Sequence, residues 1–149
     1  MTSPSGQDTS ALKHLLAACK DGEHRYRTAA QYATPEQLKA ILHGYAQQRA
    51  YYAAELQTAL ERRGGHSESS GTIAGALHQG WTRIKSAVAG GNDRALLAEC
   101  ERGEEAAREQ YEEALKQPLS ADLHELFARQ LLGIQEAFDR IGALQRAAT

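Results

Sequence analysis

Cys19-Lys20-Asp21-Gly22-Glu23 and Cys100-Glu101-Arg102-Gly103-Glu104 share the pattern C-x-x-G-E, and between them they use both cysteines of the chain. Self-similarity at a distance marks a duplicated structural unit. A second correspondence follows each copy at nearly the same offset: Tyr45-Ala46-x-Gln48 after the first and Phe127-Ala128-x-Gln130 after the second. Each unit is therefore read as a pair of helices, and the chain as two such pairs.

Apolar residues recur at spacings of three and four through four long segments, the stripe that lets a helix bury one face. Helix 1 is expected from Ser10 to Ala33, with the seam Leu12, Leu16, Cys19, Glu23, Tyr26, Ala30 and Ala33. Thr34-Pro35 ends it, because the residue before a proline is pushed out of the helical region. Thr34 then serves as cap and Pro35 as first residue of helix 2. That helix is expected to run to Arg63 with the seam Leu38, Ile41, Tyr45, Gln48, Tyr52, Glu55 and Ala59, stopped by Gly64-Gly65. Helix 3 starts at a cap on Asp93 and carries Leu97, Cys100, Glu104, Ala107, Tyr111 and Ala114. After Pro118 and Ser120, helix 4 presents Leu123, Phe127, Gln130, Ile134, Ala137, Ile141 and Leu144.

The segment 66–91 is too long for a tight turn, and Ile73, Leu77, Trp81, Ile84 and Val88 recur in it at helical spacing. A crossover helix is expected there, with Trp81 covering the outside of the bundle. A connection of that length returns the chain along the bundle, so helices 2 and 3 are expected to run parallel and helices 1 and 3 antiparallel. Residues 1–9 read as a disordered tail and 10–149 as one domain, in keeping with a chain of 149 residues.

Composition narrows the function classes. Seventeen basic and nineteen acidic residues nearly cancel, and no run of Lys or Arg supplies the basic stripe that nucleic acid requires. No apolar run is long enough for a membrane span or a secretory signal, which points to the cytoplasm. The partner class left open is another copy of the chain. The cysteines lack metal-ligand spacing. Placed on antiparallel helices on opposite sides of the mid-plane, they are expected to stay unbonded, because a disulfide needs Cα atoms within about 7 Å. None of the six histidines pairs with another at i, i+3 or i+4, although His14 could approach Glu55 across helices 1 and 2. No Ser-His-Asp set, phosphate-binding glycine loop or H-E-x-x-H occurs, so no catalytic residue is assigned.

The informative positions are polar residues on apolar seams. Glu23 lies about as far before the Thr34-Pro35 turn as Gln48 lies after it, and Glu104 and Gln130 stand likewise about Pro118. A mid-bundle layer of Glu23, Gln48, Glu104 and Gln130 is expected. Two carboxylates at one level need a cation, an arginine such as Arg49, or a shared proton. A neutral layer would serve as well, so Glu23→Gln with Glu104→Gln is expected to leave the fold intact or to stabilise it. A second register puts Glu55 and Glu136 in the acidic roles.

Two helix pairs, a long crossover, and one inward Glu on each of helices 1 and 3 resemble the ferritin-like superfamily. More closely, C-x-D-G-E-x-x-Y-R-T-A-A, G-A-L-H-x-G-W and C-E-R-G-E-x-A resemble a bacterial family of ferritin-like four-helix bundles of unknown function. The resemblance implies an all-α, ferritin-like bundle with a metal site at Glu23 and Glu104. Active di-iron members add Glu-x-x-His on the other two helices, where this chain has Gln48-Arg49-Ala50-Tyr51 and Gln130-Leu131-Leu132-Gly133. With both histidines and both bridging carboxylates replaced, the expectation is a non-catalytic structural or interaction protein with a degenerate site and no cofactor. The alternative is iron or manganese held through oxygen ligands in a metal-binding protein or oxidoreductase.

Overall fold

In the computed structural model the described residues are 4–65 and 92–148. They form four helices and no strand: α1 (Pro4–Tyr32), α2 (Glu36–Arg62), α3 (Asp93–Leu115) and α4 (Ala121–Ala147). The expected crossover helix and Trp81 lie outside the described residues. No described helix is long and apolar enough to cross a membrane.

Polar contacts at the two ends set the helix directions. At one end, Asp8 near the start of α1 accepts from the Ser120 backbone N–H at 3.1 Å. There too, Arg63, just past α2, reaches Asp122 at 2.8 Å and Asp8 at 3.5 Å. Arg63 and then Ser120 donate hydrogen bonds that lower the Asp122 carboxyl to about 2. At the other end, the Thr34 hydroxyl donates to Asp93 at 2.8 Å, joining the α1–α2 turn to the start of α3. Helix α1 therefore runs from the first end to the second, α2 and α3 both run back, and α4 returns. The expected parallel α2 and α3 are observed, with α1 antiparallel to α3. The close helix pairs are α1 with α2, α3 with α4, and α1 with α3, which leaves α2 and α3 on a diagonal.

Local details differ from the sequence reading in three places. Helix α1 starts at Pro4, so residues 4–9 are helical rather than part of a tail. Proline suits the first turn of a helix, and the buried Asp8 ties this turn to Arg63 and Ser120. Thr34 does not cap α2, since its hydroxyl is taken by Asp93 and Pro35 occupies the N-cap position. Asn92, not Asp93, caps α3, accepting from the Arg94 and Ala95 backbone N–H groups at 2.8 and 3.3 Å. Gly64, at φ +74°, takes the left-handed conformation that ends α2.

The expected seams of α3 and α4 are buried as read, except that Leu144 is only half-buried. On α2 the inward row is Leu38, Leu42, Ala46, Arg49, Ala53, Leu56, Ala59 and Leu60. Ile41, Tyr45, Gln48, Tyr52 and Glu55, expected inside, are half-buried. At Tyr52, Gln48 and Glu55 this flank faces α4. Small Ala46 and Ala53 allow close packing inside, while tyrosines on the flank can bury their rings and keep their hydroxyls near polar partners. The core falls into two apolar clusters, one built around Leu12, Leu16, Leu56, Tyr111 and Phe127 and the other around Tyr26, Ala30, Leu42, Leu97 and Ile141. Arg49 and Glu104 lie on neither side of that division.

Candidate functional site

Arg49 is the middle residue of Glu36–Arg62, and Glu104 the middle residue of Asp93–Leu115. Parallel helices on a diagonal bring these midpoints level, and the long arginine stem spans the gap. Both terminal guanidinium nitrogens donate to the Glu104 carboxylate: Nη2 to Oε2 at 2.6 Å, and Nη1 to Oε1. The two side chains are 1% and 2% exposed. A buried charge is stable only if it is paired and hydrogen-bonded, and the forked bidentate contact meets that need better than a lysine would.

The surrounding walls fit the arginine. The Tyr26 ring lies 5.7 Å from the guanidinium carbon, within cation–π range. On α1, a Cβ at Gly22 would stand 3.4 Å from both Cγ and Nη1 of Arg49, so the glycine of the first C-x-x-G-E leaves room for the pair. Burial opposes the charge on Arg49, but the hydrogen bonds and charge of Glu104 outweigh it and raise the guanidinium pKa above its ordinary value. Burial, followed by the Glu104 charge, pushes the Tyr26 hydroxyl well above its usual range.

A second polar layer joins all four helices. The Cys19 sulfur of α1 lies 3.2 Å from the Tyr111 hydroxyl of α3. That hydroxyl donates to Gln130 Oε1 of α4 at 2.6 Å, and Gln130 Nε2 donates to Glu55 of α2 at 3.1 Å. Arg129 closes the line with a 2.8 Å bond to the other Glu55 oxygen. The directions follow from chemistry: a carboxylate only accepts, so the amide nitrogen must face Glu55 and the amide oxygen Tyr111. The tyrosine proton is thereby used, and the thiol must donate to the phenol oxygen. An amide does not pass protons along such a chain, so this layer orients dipoles between core and surface and is not a proton path.

The expected four-residue layer is only partly assembled. Glu104 and Gln130 are buried, in the two separate arrangements just described. Glu23 is half-buried and pairs with Arg27 at 2.5 Å, one turn along its own helix. Gln48 is half-buried beside Tyr52 and Gly133. Of the second register, Glu55 is held by Arg129 and Gln130, while Glu136 is exposed on α4. His14 is exposed beside α3, in an open groove of about 660 Å³, rather than near Glu55.

A di-iron centre needs carboxylate oxygens free to coordinate. Here both oxygens of Glu104 are engaged by a guanidinium, and Glu23 pairs with Arg27. Among the described residues, no three acids, histidines or cysteines converge to hold an ion. These residues do not fit such a centre. The sequence correspondence sets Gln48 against Gln130 and so Arg49 against Leu131, which has no charge to draw Glu23 inward. The signal available in the sequence was Arg49 itself, a charged residue at seam spacing in the row Leu42, Ala46, Arg49, Ala53 and Leu56.

Cys19 and Cys100 are unbonded and buried, as expected. Burial raises Cys19 to about 11 and Cys100 to about 12. Because the thiolate is the reactive form, both thiols should alkylate at pH 8 at least ~10-fold more slowly in the folded protein than in urea. Reaction of either one at the unfolded rate would show that it is not enclosed.

Comparison with known proteins gives a family and no activity. No curated protein matches the chain. A family model covering α1 through α3 matches residues 7–117, and on that match the chain belongs to the family described as a domain of unknown function, DUF2383.

Proposed function

We propose that this chain is a non-catalytic bundle of ferritin-like layout, acting in the cytoplasm as a structural or interaction module, alone or as a homo-oligomer. The observation that carries the reading is the Arg49–Glu104 pair: at mid-bundle, the charge of the buried carboxylate is balanced by a side chain of the protein. The helix directions support the layout, with α2 and α3 parallel on a diagonal and a long connection between them. The amides at Gln48 and Gln130 support the loss of metal chemistry, since a neutral amide oxygen is a poorer ligand for a highly charged ion than a carboxylate.

The test is elemental analysis of protein produced with iron, manganese and zinc supplied, followed by an Fe(II) oxidation assay. The expected result is far less than one metal per chain after dialysis and oxidation no faster than in buffer. Stoichiometric iron or manganese retained through dialysis, or steady Fe(II) oxidation, would overturn the reading and restore a working metal centre.

A further inference from the structure

We propose that the outer face of α2 is the contact surface of a weak homodimer, in which two copies of the chain lay this helix antiparallel about a twofold axis level with residue 49. That surface supplies the partner left open above and rests on the reading of the chain as an interaction module. Monomeric protein would overturn the dimer and leave the outcome of the metal assays untouched.

The face is unlike the solvated face of the neighbouring repeat. From Gln37 to Thr58 no exposed residue of α2 is an acid, a lysine or an arginine, Lys39 and Glu55 being half-buried. A helix face that stays in water is ordinarily charged, as on α3, where Arg102, Glu105, Glu109 and Glu112 are exposed. At the centre of the neutral stretch Tyr51 is 63% exposed, and Leu132, on α4 where it runs beside α2, is 68% exposed. Aromatic side chains are enriched and charges depleted at the centres of protein interfaces.

A twofold contact sets one patch against itself, so the patch must be its own complement. Glu36 and Arg62 are exposed at the two ends of α2 and stand equally far from residue 49. Antiparallel pairing brings the acid of each copy to the arginine of the other, whereas parallel pairing would oppose like charges. Gly44 and Ala54 are also equidistant from residue 49 and share the face with Glu36, Gln47, Tyr51 and Arg62 at helical spacing. A Cβ added at Gly44 would meet nothing within 4 Å, so the groove there is open to the ridge of a second helix. Gln47 and Tyr51 then oppose each other across the axis, the ring covering the amide stem. The row is ~40 Å long and ~10 Å wide, so two copies bury ~800 Å² between them, rising toward ~1,200 Å² with the α4 edge at Leu132, the low end for specific interfaces. A contact of that size corresponds to a dissociation constant of ~10–100 μM.

Sedimentation velocity of the full chain from about 2 to 200 μM should show the mean mass rising from monomer toward dimer. Tyr51→Glu should weaken the dimer at least ~10-fold and leave the far-UV circular dichroism spectrum unchanged. Glu36→Arg and Arg62→Glu should each weaken it about 3–10-fold, and the two together should restore it, because the ion pairs are reversed but intact. Monomer throughout the range overturns the proposal, as does a dimer indifferent to Tyr51→Glu, or charge changes whose losses add instead of cancelling. A monomer whose melting temperature falls on Tyr51→Glu would overturn it in favour of residues 66–91 of the same chain as the cover of this face. If Tyr51→Glu does not fold, the two charge changes and their combination decide the question.

Discussion

Replacing Glu104 with glutamine will lower the unfolding free energy by about 3–5 kcal/mol, the usual cost of removing one partner of a buried ion pair. The loss comes less from the broken bonds than from Arg49, which stays charged in a site where it is 1% exposed and has no route to solvent. Because both partners are enclosed, solvent screening does not reduce the effect. With Arg49 paired to Glu104, a loss of stability is expected for Glu23→Gln with Glu104→Gln in place of the tolerance read from the sequence. Its Glu23 half touches only a half-buried i, i+4 pair worth a few tenths of a kcal/mol, and its Glu104 half strands a guanidinium. Removing both charges together reverses the outcome: Arg49→Met with Glu104→Leu should be neutral or stabilising by about 1–4 kcal/mol. Urea denaturation of the two variants measures the contrast. A Glu104→Gln midpoint within error of wild type would mean that the pair is solvated or unformed.

Phe127→Ala should cost about 3–5 kcal/mol, the range for truncating a buried aromatic side chain. Phe127 is fully enclosed and meets Tyr111 edge to face, with ring centroids 6.3 Å apart and planes at 83°. Its removal opens a cavity beside the tyrosine that orders Cys19 and Gln130. The experiment bears on more than packing, because the family match ends at residue 117, before α4. If α4 is integral to the core, the variant loses stability in one cooperative transition seen alike by far-UV circular dichroism and by alkylation of Cys19. A loss below about 1 kcal/mol would instead show that α4 contributes little to the fold.

How far the sequence could be read varies by helix. On α3 and α4 the pattern admitted one inward row: Leu97, Cys100, Glu104, Ala107 and Tyr111 on the first, and Leu123, Phe127, Gln130 and Ile134 on the second, all buried. The faces beside those rows carry many charged residues, which cannot be buried cheaply. Helix α2 was ambiguous because two neighbouring rows could both pass for a core. The row with Tyr45, Gln48 and Tyr52 is larger and contains an amide, while the row with Leu42, Ala46 and Leu56 contains a full charge. Each row carries one full charge, Glu55 in the first and Arg49 in the second, so hydrophobic pattern alone did not separate them. The balance changes only when Glu104 is counted as the partner that makes burial of Arg49 tolerable, and that partner is 55 residues away in sequence.

By itself, the sequence determined the four described helices, the parallel course of α2 and α3, the free cysteines, and the presence of a polar interruption at mid-bundle. Each of these follows from local spacing, from turn residues, or from the length of the connection. Tertiary structure alone decided which residues make that interruption. Gln48 and Arg49 differ by about 100° around the helix axis, and which of them turns inward depends on what waits across the bundle. Gly22 leaves the space, Tyr26 supplies a ring face, and Glu104 supplies the opposite charge. On α4, Leu131, which the sequence correspondence sets against Arg49, offers Glu23 no such partner, and the carboxylate stays near the surface with Arg27. A buried charge requires its counter-charge in three dimensions, and no spacing along one helix specifies where that counter-charge will come from.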